Sequence, residues 1–284
     1  MPKSKIEWTQ HTWNPVTGCT KISEGCRNCY AENMAKRFGG ENGFKVKLHP
    51  NKLSVPGERK TPTTYFVCSM GDLFHEEVPF EFISKVFSVM QSRQMHTFQV
   101  LTKRPERVLE YYAYQKKWAG IVLPLKNVWL GVTAENQKEA NHRIPILLDI
   151  PAALRFVSVE PMLEKITLEM LVAQNINNRF RTIYSSLSGR KTLWDTKNLL
   201  AEEKIQKLDW VICGGESGQK ARPLSPIWAK ELQEQCAKAG VPFFFKQWGE
   251  FTCKDGEMVR VGKKEAGHLI DNKECREIPK GAER

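Results

Sequence analysis

Short apolar runs rich in β-branched and aromatic residues alternate along this chain with helical patterns. That alternation restricts the fold to βα units around a parallel sheet. The candidate strands are Tyr65–Ser69, Phe98–Leu101, Val128–Val132, Leu154–Val159, Trp210–Cys213 and Pro242–Phe245, with a shorter one at Ile6–Thr9. Helices are predicted at Cys29–Phe38, Phe80–Gln94, Pro105–Lys117, Asn136–Leu148 and Pro226–Ala239. Pro226 stands near the first turn of its helix and Gly240 just past the end, where those residues are favoured. Six or seven strands with right-handed crossovers fit either a partial TIM-like barrel or an open doubly wound sheet.

The rhythm breaks between Leu163 and Leu208. That stretch holds the polar segment Asn175–Arg181, a turn at Ser185–Gly189 and a charged helix candidate around Leu199–Lys207. It reads as an insertion of about 164–208 within one domain spanning 1–250, and the polar residues 251–284 read as a small C-terminal appendage. No apolar run approaches the roughly 20 residues of a membrane span. Nor does the N-terminus show the apolar stretch of a secretory signal. The expected setting is cytoplasmic, with no membrane partner.

That setting bears on the eight cysteines in 284 residues. In a long chain without an export signal, reduced thiols are the default. Five of them, Cys68, Cys213, Cys236, Cys253 and Cys275, are scattered, whereas Cys19, Cys26 and Cys29 crowd into one loop entering a helix. Thiolates are soft ligands that select zinc, copper(I) or iron–sulfur clusters. Three ligands with no nearby fourth leave one position open, which suits a [4Fe–4S] cluster whose unique iron binds a substrate or cofactor. A structural zinc site would need a fourth ligand from a distance, with His11, Cys68 and Cys213 as the candidates. Cys253, His268 and Cys275 form a weaker candidate for a metal site in the tail.

A formal charge of +11 and a pI near 9.2 point to a polyanionic partner. The basic residues are dispersed in pairs such as Lys45/Lys47, Lys103/Arg104 and Arg179/Arg181, so any nucleic-acid surface has to be assembled by folding.

The predicted strands share an ending. Each apolar run gives way to a charged residue: Asp72, Lys103, Glu135, Glu160, Glu216 and Lys246. In a parallel barrel the C-terminal strand ends form the mouth where active sites lie. Gly214-Gly215 allows either the close approach of a ligand or an ordinary tight turn. Tyr30 and Trp248 read, on their own, as packing residues.

A short Cys triad after the first strand of a partial barrel resembles the radical S-adenosylmethionine (SAM) superfamily. The likeness is carried further by His11-Thr12-Trp13-Asn14-Pro15-Val16-Thr17-Gly18-Cys19, Asp72-Leu73-Phe74-His75, Leu101-Thr102-Lys103-Arg104-Pro105, Ser158-Val159-Glu160-Pro161, Gly214-Gly215-Glu216-Ser217 and Phe244-Phe245-Lys246-Gln247-Trp248-Gly249. Together they resemble a phage- and prophage-associated three-Cys-motif family of unknown function. The resemblance implies a partial TIM-like barrel of parallel strands with outer helices, holding a [4Fe–4S] cluster on Cys19, Cys26 and Cys29. It also implies SAM as cofactor and an external electron donor. Reductive cleavage of SAM then yields a 5′-deoxyadenosyl radical that abstracts hydrogen from a substrate.

By the same resemblance Asp72 holds the SAM amino group, and Glu135, Glu160 and Glu216 contact ribose or substrate. Lys103 meets the SAM carboxylate or a substrate phosphate, while Gly214, Gly215 and Tyr30 line the cofactor. Two positions depart from the superfamily pattern. Six residues instead of three separate Cys19 from Cys26, and Asn28 stands where an aromatic residue usually precedes the third cysteine.

The expected function is therefore an iron–sulfur, radical-SAM-like enzyme acting on nucleic acid or a nucleotide. Two other readings fit the same residues. One is a metal-dependent hydrolase with structural zinc. The other is a non-catalytic, basic nucleic-acid-binding protein whose cluster stabilises the fold or senses redox state.

Overall fold

The computed structural model describes residues 4–39, 43–118, 121–173, 180–195 and 198–280. Of the polar segment read at Asn175–Arg181, residues 175–179 lie outside the described residues, and so does Arg179 of its basic pair. The fold is α/β: seven strands join in one sheet, with helices between them along the chain. The chain divides into two compact units.

The first unit runs to Val132 and takes in Ile150–Leu154. Its elements are β1 (His11–Trp13), β2 (Val16–Thr17), α1 (Tyr30–Gly39), β3 (Lys47–Leu48), β4 (Thr64–Val67), α2 (Phe80–Ser92), β5 (Thr97–Thr102), α3 (Pro105–Trp118) and β6 (Val128–Thr133). β1, β4, β5 and β6 pair in that order, all parallel, with His11 opposite Tyr65, Tyr65 opposite Phe98, and Phe98 opposite Val128. β2 and β3 form a short antiparallel strip beside them. Helix α2 buries Phe82, Ile83, Val86, Phe87 and Met90, the one-sided stripe of a helix packed on a sheet. Residues 6–9 form a turn closed by Thr9 N–H donating to the Ile6 carbonyl, so the first strand is His11–Trp13 and not the Ile6–Thr9 expected from sequence. Buried Trp8 made that turn look like a strand.

The second unit holds 133–149 and 155–279. It contains α4 (Gln137–Asp149), β7 (Leu154–Val159), β8 (Leu171–Ala173), β9 (Phe180–Ser185), β10 (Arg190–Asp195), β11 (Asn198–Lys204), β12 (Trp210–Cys213), α5 (Pro226–Ala239), β13 (Phe243–Phe245), β14 (Phe251–Lys254), β15 (Glu257–Arg260), α6 (Lys263–Ala266), β16 (Leu269–Ile270) and β17 (Lys273–Glu274). β7, β12 and β13 pair in parallel, and every residue of all three is buried. Burial on both faces is why these strands read as continuous apolar runs. Gly240 ends α5 in the left-handed conformation (φ 63°).

Two features of this unit differ from expectation or add to it. Leu199–Lys207 is no helix. Its first six residues belong to β11, at the edge of the four-stranded antiparallel sheet β11-β10-β9-β8. Leu, Ala, Glu and Lys favour a helix locally, but pairing with β10 sets Glu202 against Arg190 and Glu203 against Lys191, and tertiary pairing overrides propensity. The boundary expected at 250/251 falls inside this unit. Phe245 N–H donates to the Cys275 carbonyl (2.6 Å) and Glu277 N–H to the Phe243 carbonyl (3.0 Å), so residues 275–277 cover the edge of β13. A covered edge removes a template for unwanted strand pairing.

Candidate functional site

The three-cysteine loop leaves β2 through Gly18, whose φ of 86° and surroundings both demand glycine. A Cβ there would lie 2.1 Å from the Lys45 carbonyl oxygen. Gly18 N–H donates to the Met70 carbonyl and Cys19 N–H to the Phe44 carbonyl, fixing the loop between two neighbouring segments. Cys26 closes a tight turn by donating its N–H to the Ser23 carbonyl, and the Cys29 carbonyl accepts from Asn33 in the first turn of α1. All three thiols are partly buried and unbridged.

Their electrostatic settings differ. Burial, then the neighbouring Asp72 carboxylate, pushes the Cys19 thiol up to about 11 against the opposing Arg104. Burial also raises Cys26, but the Lys103 charge, hydrogen bonds to the backbone of Ile22 and Ser23 and the Ser23 hydroxyl together outweigh it, leaving the thiol below its ordinary value. The ligand form is the thiolate, so a metal has to displace the Cys19 proton. Lys103 beside Cys26, and Arg104 beside Cys19 although opposed there by Asp72, offer cationic donors to a thiolate-bound group of net negative charge. Among the described residues no three His, Cys, Asp or Glu side chains close on a single ion, and this holds for Cys19, Cys26 and Cys29 as it does for Cys253, His268 and Cys275.

Asp72 lies next to Cys19 but is nearly buried, and its oxygens are engaged. The Thr102 hydroxyl lies 2.8 and 3.0 Å from the two of them, with Phe74 N–H (3.0 Å), Lys103 N–H (3.2 Å) and Arg104 Nη1 (3.3 Å) also donating. Lys103 is near enough to Cys26 to act on its thiol. Tyr30 heads α1 with 64% of its surface exposed, so it is not the packing residue its aromatic character suggested. Arg104, which sequence reasoning passed over, makes as many polar side-chain contacts here as Asp72. The one signal was its place directly after Lys103 at a strand end.

The remaining candidates belong to the second unit. Glu160 pairs with Lys246 Nζ at 3.0 Å and accepts from the Ser158 hydroxyl at 3.3 Å. Glu216 is gripped by Arg222 through its backbone N–H, Nε and Nη2. Glu135 is fully buried against Arg143, 2.9 Å away. The two glycines serve close packing. A Cβ on Gly214 would lie 2.7 Å from Glu160 Oε1, and one on Gly215 would lie 2.0 Å from the Trp248 carbonyl oxygen. Trp248 packs edge-on against Phe245, as expected.

Fold and site together define an α/β protein with a three-thiol loop following its first strands. The chain belongs to the family described as "Protein of unknown function (DUF5131)", whose model matches residues 3–279. No curated protein matches it. Among solved structures, it is similar to a spore photoproduct lyase double mutant with bound AdoMet and dinucleoside spore photoproduct. The TM-score is 0.43 and the identity 11%, over 84% of this chain and 74% of that one. At that score the likeness carries no conclusion about chemistry.

Proposed function

We propose that this protein is an iron–sulfur enzyme of the radical-SAM type acting on nucleic acid or a nucleotide. The observation that carries the reading is the loop itself: three partly buried thiols, with Arg104 donating to one and Lys103 acting on another. Cys19, Cys26 and Cys29 would hold a [4Fe–4S] cluster, which together with SAM and an external electron donor would supply radical chemistry. The chain's own part is to bind, orient and exclude water. Lys103 offers a cation to a carboxylate or phosphate, and Tyr30 an exposed ring to a base. Glu160 is the least buried of the second unit's three carboxylates, with 15% of its side chain exposed.

The hydrolase reading loses support from the same side chains. Glu135, Glu160 and Glu216 are each neutralised by Arg143, Lys246 and Arg222, which leaves them poor ligands for a divalent cation. The decisive assay uses anaerobically reconstituted, reduced protein. Formation of 5′-deoxyadenosine and methionine from SAM, slow without substrate and indifferent to added Mg²⁺ or Mn²⁺, is the expected result. Absence of SAM binding by calorimetry to the cluster-loaded protein would end the radical reading.

The nucleic-acid part rests on the charge of +11 and on exposed Lys45 and Lys47, which directly follow Phe44, the residue whose carbonyl accepts from Cys19 N–H. Contacts to phosphates release counterions, so affinity for an arbitrary oligonucleotide should fall by orders of magnitude between roughly 50 and 200 mM salt. Fluorescence anisotropy reads this directly. Salt-insensitive binding, or none at low salt, would restrict the substrate to a small molecule.

No helix among the described residues is long and apolar enough to cross a membrane.

A further inference from the structure

Arg104 lies at the end of β5 with 10% of its side chain exposed, and its guanidinium donors are directed at four different groups. Nη1 reaches Cys19 Sγ at 3.4 Å and Asp72 Oδ2 at 3.3 Å. Nε donates to Glu76 Oε2 at 3.0 Å, and Nη2 to the Thr20 carbonyl (3.3 Å) and hydroxyl (2.9 Å). The residue is held from its other side as well. Its backbone N–H donates to the Thr102 hydroxyl at 3.0 Å, the same hydroxyl that contacts both oxygens of Asp72. The planar fork of an arginine is what allows one side chain to join a thiol, two carboxylates and the loop backbone at once.

From this geometry we infer that Arg104 is a positioning residue that fixes Cys19 as a ligand and raises the reduction potential of the cluster it holds, and that Asp72 acts through Arg104. The inference rests on the iron–sulfur reading above and deepens it. An N–H donor on a ligating sulfur withdraws electron density from the metal, and a nearby cation stabilises the more negative reduced state. Asp72 and Glu76 offset part of the guanidinium charge, so the N–H···S contact carries the larger share of the effect. Four donors, Arg104 among them, already occupy the Asp72 oxygens, which is the arrangement of an anchor. Thr102 fixes Asp72, Asp72 and Glu76 fix the guanidinium, and the guanidinium fixes Cys19. A proton moving onto any of these groups is not required; the device is geometric.

The test is a potentiometric titration, followed by electron paramagnetic resonance, of the anaerobically reconstituted full chain and the variants R104M, R104K and T102V. Iron and sulfide content are measured alongside. In R104M the cluster should be harder to reduce by about tenfold in the reduction equilibrium, about 59 mV for a one-electron couple. R104K, which keeps the charge and loses the fork, should fall between R104M and wild type. T102V changes no charge, so a shift in the same direction as R104M identifies positioning, whereas a purely structural role would lower thermal stability and leave the potential unmoved. If R104M fails to load, R104K and T102V decide by the same criterion. Potentials equal to wild type in the loaded variants overturn this inference alone. A wild-type chain that takes up no iron overturns the iron–sulfur reading, and the inference with it.

Discussion

Replacing any one of Cys19, Cys26 or Cys29 by Ala should abolish most of the iron and sulfide that the wild-type chain incorporates, while Cys68→Ala and Cys213→Ala should leave both nearly unchanged. The contrast comes from what surrounds each thiol. The three loop cysteines are partly exposed, and two of them have cationic side chains or hydroxyls within reach. Burial lifts the Cys19 thiol too, to about 11, against an opposing Arg104, whereas Cys68 and Cys213 are fully buried and pushed far above their ordinary value. A thiol so strongly held in its protonated form is a poor metal ligand, because the thiolate is the species that binds. Cys213 has in addition a sulfur neighbour, Met162 Sδ, at 3.7 Å, the packing of a core residue. Colorimetric iron and acid-labile sulfide assays on the five variants check the prediction. Loss of the cluster in Cys68→Ala or Cys213→Ala equal to that in the loop variants would mean a site closed by four ligands, and the open coordination position would be gone.

The parts of this protein that were legible in its sequence are those whose cause is local. Strands buried on both faces announce themselves, so Val128–Thr133, Leu154–Val159 and Trp210–Cys213 differ little from expectation. Helix α5 carries its own start and stop in Pro226 and Gly240. The cysteine loop was equally visible because its three residues are close in sequence. Misreadings arose where a distant partner decides. Leu199–Lys207 has helical composition and becomes strand because β10 is beside it. The exposed face of Tyr30 depends on how α1 lies, which composition does not encode.

The same reason hid Arg104. Its sulfur partner is 85 residues away and its carboxylate partner Asp72 is 32 away. A basic residue at a strand end, read alone, is an ordinary solvated exit. Sequence also made the strand-end acids look equally available. In the folded chain Glu135, Glu160 and Glu216 have each acquired a cation, at 2.9, 3.0 and 2.6 Å, and differ in how far they remain accessible.

Glu135 is the sharpest of these cases, and the substitution Arg143→Met should expose it as structural with a loss of about 3–5 kcal/mol in unfolding free energy. The two side chains are 0% and 2% exposed, so neither charge can be solvated when its partner is removed. Arg143 also donates to the Thr133 carbonyl at 2.8 Å and pairs with Glu139 at 2.7 Å, joining the end of β6 to α4. Glu135→Leu should be destabilising for the mirror-image reason, because it leaves a buried guanidinium with one carboxylate fewer. The double variant Glu135→Leu/Arg143→Met should cost less than the two single effects added, since only Glu139, which is 13% exposed, is left without its cation. Guanidinium denaturation of the four proteins measures the coupling. If the single changes prove mild and additive while Glu135→Leu removes SAM or substrate binding, then Glu135 serves a ligand and is not structural.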